Sequence, residues 1–117
     1  MIHSSAIIDK NAIIGSNVIV GPYSVIGPNV KIGNNTTIQN SCNVVGNTDI
    51  GYNNKIFPFC SIGSDPQDLK YKNEKSYLTV GNNNTFREHC TVNRGTESGG
   101  LKTTIGDNSL FMVGVHI

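Results

Sequence analysis

Residues 14–33 read IGSNVIVGPYSVIGPNVKIG. Within them Ile14, Val20, Ile26 and Ile32 recur at a step of six, and Gly15, Gly21, Gly27 and Gly33 follow directly behind. The same step runs back through Ile8 to Ile2 and forward through Ile38, Val44, Ile50 and Ile56 to Ile62. A second column lies four residues after each aliphatic and is mostly small: Ala12, Val18, Ser24, Val30, Thr36, Cys42, Thr48 and Cys60. A fixed internal period dictates the whole architecture, and this one is the hexapeptide pattern of a parallel β-helix.

The physics follows from the period. Each hexapeptide supplies one short strand and one turn. The aliphatic residue points inward, the small residue fills the remaining interior volume, and stacked coils bury a column that no single coil could bury alone. Gly and Asn are expected to supply corner conformations that a Cβ penalises. The Asn runs Asn34-Asn35, Asn53-Asn54 and Asn82-Asn83-Asn84 suit such corners.

Two interruptions break the rhythm. The first follows Gly63, yet Val80 returns in phase, with Phe86 and Val92 behind it. The second runs from Asn93, after which Ile105, Phe111 and Ile117 resume the step of six, one residue out of phase. The spacing predicts loops over about 64–79 and 93–104. Long irregular loops inside a compact domain are usually functional, so the site is sought there.

Composition closes several alternatives. The 117 residues suit one domain, and nine Lys or Arg against eight Asp or Glu give no basic surface for nucleic acid. No apolar run reaches membrane-spanning length, and no basic-then-apolar leader opens the chain. Cys42, Cys60 and Cys90 form no Cys-x-x-Cys pair, so neither a disulfide framework nor a metal site is expected. A cytoplasmic protein with reduced thiols is the expected setting.

The segments between the repeats are more specific. Ser61-Ile62-Gly63, Pro66-Gln67-Asp68-Leu69-Lys70-Tyr71, Glu74, Arg87-Glu88, Thr91-Val92, Arg94-Gly95-Thr96, Gly99-Gly100 and Ile105-Gly106-Asp107-Asn108 stand in order, then Leu110 to Ile117. This series resembles the acyl-carrier-protein-dependent UDP-N-acetylglucosamine O-acyltransferases that begin lipid A synthesis. Asn93 stands where many members have His, and Asp9, Gln39, Val45 and Phe57 interrupt the glycine column. The left hand of the helix is implied by the resemblance, since parallel crossovers are otherwise right-handed.

The resemblance implies a reaction. The sugar 3-hydroxyl attacks the thioester of a 3-hydroxyacyl group on acyl carrier protein, while a neutral imidazole removes the hydroxyl proton. Backbone N–H groups stabilise the tetrahedral oxyanion. No metal, cofactor or covalent intermediate is implied; acyl carrier protein is a co-substrate, and a homotrimer with sites between subunits is the expected assembly. Asp68, Lys70 and Gln67 match loop residues that hold substrate. His116 matches the first His of a His-x-x-His pair, a substrate-site residue and not the base.

In the family the segment like Val115-His116-Ile117 continues after one residue into His-Asp-Cys, whose His is the base. The resemblance therefore implies that the base lies beyond Ile117, with further coils and a C-terminal helical domain also outside 1–117. These residues alone are then expected to be inactive and to associate through an uncapped last coil.

Other candidates carry plainer expectations. His3 and His89 read as surface or turn residues, the three cysteines as small interior residues, and Met112 as core packing in preference to the lining of an acyl pocket. Arg94 has two open roles, an anion contact or a structural salt bridge. Two rival functions stand beside the acyltransferase. One is an acetyl-CoA-dependent sugar acetyltransferase, against which the Pro66–Tyr71 loop argues. The other is a non-catalytic β-solenoid used for binding or scaffolding, against which the mixed Asn, Lys, Gln and Asp outward positions argue.

Overall fold

The computed structural model describes residues 1–64, 76–95 and 102–117. Gln67, Asp68 and Lys70 lie outside the described residues, as do most of the two predicted loops. The described chain winds through five coils of three strands. Coil one holds β1 (Ile7–Ile8), β2 (Ile13–Ile14) and β3 (Ile19–Val20). Coil two holds β4 (Val25–Ile26), β5 (Val30–Ile32) and β6 (Thr37–Ile38). Coil three holds β7 (Asn43–Val44), β8 (Thr48–Ile50) and β9 (Lys55–Ile56). Coil four holds β10 (Ser61–Ser64), β11 (Tyr77–Val80) and β12 (Thr85–Phe86). Coil five holds β13 (Thr91–Asn93), β14 (Lys102–Ile105) and β15 (Leu110–Phe111).

Every third strand pairs in parallel, giving three five-stranded sheets: β1-β4-β7-β10-β13, β2-β5-β8-β11-β14 and β3-β6-β9-β12-β15. The predicted aliphatic column becomes three interior columns, one per sheet. They are Ile8, Ile26, Val44, Ile62, Val92; Ile14, Ile32, Ile50, Val80, Ile105; and Val20, Ile38, Ile56, Phe86, Phe111. Ile38, Val44, Ile56, Ile62, Phe86 and Val92 are wholly buried. Each such side chain contributes about 1.5–3 kcal/mol by leaving water. Phe86 stacks on Phe111 with ring centroids 4.8 Å apart.

The small column is interior too, and it carries hydrogen bonds. Ser24, Thr36, Cys42, Cys60, Asn54, Asn84 and Cys90 are all buried. Asn54 Oδ1 accepts from the Asn84 N–H at 2.9 Å, and Asn84 Oδ1 accepts from the Ser109 N–H at 2.9 Å. The same two amides donate through Nδ2 to the Gly81 and Gly106 carbonyls. A corner carbonyl inside a solenoid has no sheet partner, so these amides supply the bond that burial would otherwise forfeit.

The glycine column has a different cause from the one expected of it. Among the described residues, positive φ in glycines occurs at Gly46, Gly63 and Gly114, whereas the left-handed corners belong to Asn17, Asn35, Asn53, Asn83 and Asn108, and to Tyr23, Ser41, Phe59 and His89. Gly33 instead lies under the next coil: a Cβ there would meet the Gly51 carbonyl carbon and oxygen at 2.6 Å. Close approach of successive corners, not backbone freedom, selects glycine at that position.

Strands enter both predicted interruptions, so each is shorter than its expected limits. β11 already pairs from Tyr77 and β14 from Lys102, with Tyr77 opposite Lys102, and β13 runs through Asn93. Pairing with the neighbouring coil takes up residues that show no hexapeptide signal. No helix among the described residues is long and apolar enough to cross a membrane.

Candidate functional site

Both interruptions leave the β-helix from one corner, on consecutive coils. Ser64, the last residue of β10, is paired with Asn93, the last residue of β13. Both segments re-enter on the second sheet, where β11 and β14 are neighbours. The corner is held by backbone bonds: the Arg94 N–H donates to the Ser64 carbonyl at 3.0 Å and the Gly95 N–H to the Tyr77 carbonyl at 3.4 Å.

An open cleft at this corner is lined by Val45, Gly46, Gly63, Ser64 and Arg94. Arg94 reaches back across it, so that a Cβ on Gly46 would lie 2.7 Å from Arg94 Nε. Gly63 is excluded from side chains twice, by φ +85° and by the Val45 carbonyl and the Thr48 hydroxyl that a Cβ would strike. Gly46 therefore makes room for the Arg94 side chain, which gives Arg94 a place in the corner that spacing alone left open.

His116 falls on the first sheet, outside and next to Thr91. The two form an isolated parallel bridge. His116 Nδ1 lies 2.6 Å from Thr91 Oγ1. Thr91 is in register with Ser61 and Asn43 below it. The Ser61 hydroxyl is 2.8 Å from that of Ser64. His116 thus stands on the same face as the residue from which the first loop departs, a convergence of residues far apart in sequence. Thr91 was not singled out for His116 by the sequence; the coil register alone makes them neighbours.

The remaining candidates take structural places. His3 is exposed, and its Nδ1 accepts from the Ser5 N–H at 3.1 Å. His89 is an exposed left-handed corner residue stacked on Phe59, centroids 5.1 Å apart. Met112 is exposed rather than packed in the core, because its position falls on a corner beyond Phe111. The thiols of Cys42, Cys60 and Cys90 each donate to a carbonyl of the coil above, on Phe57, Arg87 and Met112, all at 3.1 Å. The hydrogen bond with Cys42, reinforced by burial, holds the Cys60 thiol far above its ordinary range. A thiol so placed is no nucleophile. Among the described residues no three His, Cys, Asp or Glu side chains gather as metal ligands.

The chain matches the family of bacterial transferase hexapeptides (six repeats) over residues 1–33 and 11–46. It is 58% identical over 72 residues to the acyl-[acyl-carrier-protein]–UDP-N-acetylglucosamine O-acyltransferase of Rickettsia typhi, covering 62% of this chain and 27% of that protein. The structure superposes on LpxA from Acinetobacter baumannii with a TM-score of 0.97 at 52% identity, covering 99% of this chain and 45% of the other. The UDP-N-acetylglucosamine O-acyltransferase of Moraxella catarrhalis gives 0.96 at 47% identity, again over 99% and 45%.

Repeat, corner and superposition together define a left-handed parallel β-helix of the hexapeptide-repeat class. Within that class the chain corresponds to the N-terminal part of the UDP-N-acetylglucosamine acyltransferases. It spans less than half the length of the relatives it matches.

Proposed function

We propose that this chain is the N-terminal β-helical portion of an acyl-[acyl-carrier-protein]–UDP-N-acetylglucosamine O-acyltransferase. The whole enzyme would move a 3-hydroxyacyl group from acyl carrier protein to the 3-hydroxyl of UDP-N-acetylglucosamine, the first step of lipid A biosynthesis. The observation that carries the reading is the superposition over 99% of the chain at 52% identity. Such agreement includes the corner where both loops leave, and not only the repeat common to many hexapeptide proteins.

In this reading Asp68, Lys70 and Gln67 bind substrate from the first loop. A carboxylate accepts from sugar or acyl hydroxyls, and an ammonium donates to them or meets phosphate. His116 contributes from the first sheet, and its position on the face that launches the first loop supports this grouping. The general base belongs to the segment beyond Ile117, so 1–117 supplies binding rather than proton transfer. Acyl carrier protein is the donor partner, no dissociable cofactor is required, the assembly is a homotrimer, and the setting is the cytoplasm.

The test is a transfer assay with 3-hydroxyacyl carrier protein and UDP-N-acetylglucosamine. A protein carrying these residues together with the further coils of its relatives should form the 3-O-acyl product, whereas residues 1–117 alone should form none. Turnover by 1–117 alone would overturn the placement of the base. Preference for acetyl-CoA by the longer protein would overturn the donor.

A further inference from the structure

Thr91 and His116 are tied at three points. The Thr91 N–H donates to the Val115 carbonyl at 3.0 Å, the Thr91 carbonyl accepts from the Ile117 N–H at 2.9 Å, and Thr91 Oγ1 lies 2.6 Å from His116 Nδ1. The two backbone bonds bracket His116 and fix where its Cα sits. The side-chain bond then fixes the ring. We propose that Thr91 is a positioning residue for His116, its hydroxyl donating to Nδ1 of the neutral imidazole so that the ring carries its proton on Nε2.

The proposed direction is the one that gives the Thr91 hydroxyl proton an acceptor. In the outward column Ser61, the neighbour below Thr91, already exchanges its hydroxyl with Ser64. Among the described residues Nδ1 is the acceptor within reach of the Thr91 hydroxyl, and Nε2 has no partner. A neutral imidazole has one donor and one acceptor nitrogen, and the bond made by one sets the role of the other. With Thr91 donating to Nδ1, the outward Nε2–H is a donor suited to a hydroxyl, carbonyl or phosphoryl oxygen. The opposite tautomer would offer a lone pair there and leave such an oxygen unmatched. The placement of His116 in a sugar-nucleotide site rests on the proposed acyltransferase reading; the Thr91–His116 relationship does not.

The experiment is long-range 1H–15N correlation of the imidazoles of this chain at about pH 8.5, two units above the ordinary histidine pKa. The His116 signals are assigned by His116→Gln. The expected result is an Nε2–H ring in the parent and in Thr91→Ser, and an averaged pattern of both tautomers in Thr91→Val, with His3 and His89 unchanged in all three. Val at a strand position keeps the fold, which the unchanged His3 and His89 signals verify. An Nδ1–H ring in the parent, or a Thr91→Val pattern identical to the parent, would overturn the proposal. Titration of UDP-N-acetylglucosamine into the longer protein reports separately on the functional reading. If the His116 signals do not respond there, His116 is outside the sugar-nucleotide site, while the tautomer result stands or falls alone.

Discussion

Ser64 and Asn93 are register partners on adjacent coils, and each is the last strand residue before the chain leaves the β-helix. The coils therefore eject both insertions from one corner, one above the other, and take both back on the second sheet. A solenoid can tolerate an insertion at any corner, because each coil contacts only its neighbours. The two departures share one corner beside Arg94, on the sheet that bears His116.

The glycine column can be tested by the different surroundings of two members. Gly51→Ala should destabilise the chain by about 1–3 kcal/mol, because the new Cβ meets the Gly81 carbonyl oxygen 2.6 Å away. Gly106→Ala, with nothing within 4 Å, should stay within about 0.5 kcal/mol of the parent. Urea midpoints of the two variants measure the difference, and equal midpoints would reject close approach as the reason for glycine.

Ile56 is wholly buried between Ile38 and Phe86, whereas Lys55 beside it is exposed. Ile56→Ala should therefore cost about 2–5 kcal/mol in chemical denaturation. Lys55→Ala should change stability by no more than about 0.5 kcal/mol. A comparable loss for both would mean that the alternation of inward and outward residues is misplaced.

Stability should fall as the solution becomes alkaline. The contact between the two free thiols lowers the pKa of Cys42 and, with burial, raises that of Cys60, so Cys60 is the member of the pair that keeps its proton in the folded chain. The folded state thus retains a proton that the unfolded state releases once pH passes the ordinary thiol value of about 8.5. The contribution is intact below that value and is progressively lost above it. The urea midpoint should drop between about pH 7.5 and 9.5 in the parent and drop less in Cys60→Ala. Parallel slopes would exclude Cys60 as the source.

In the longer acyltransferase, Asp68→Ala and Lys70→Ala should each lower kcat/KM by about ten- to a hundredfold. That corresponds to about 1.5–3 kcal/mol for a lost hydrogen bond to a charged group. Glu88→Ala, which removes only a surface pairing with Arg87, serves as the control and should leave kcat/KM unchanged. Steady-state kinetics varying UDP-N-acetylglucosamine would decide; unchanged constants for both loop variants would remove them from the site.

The sequence by itself determined the β-helix, its interior columns and the places where it is interrupted. The reason is that one hexapeptide encodes one strand and one turn, so the period survives as a linear signal from Ile8 to Phe111. The loop motif around Asp68 and Lys70, with His116, was also legible as a resemblance. The tertiary structure decided what depends on the stacking of coils. It brought Ser64 to Asn93 and Thr91 to His116, because register joins residues that no local pattern connects. It placed Met112 outside, since the step after Phe111 turns a corner. It also gave the glycines their cause, for the clearance between Gly33 and Gly51 exists only when one coil rests on the next.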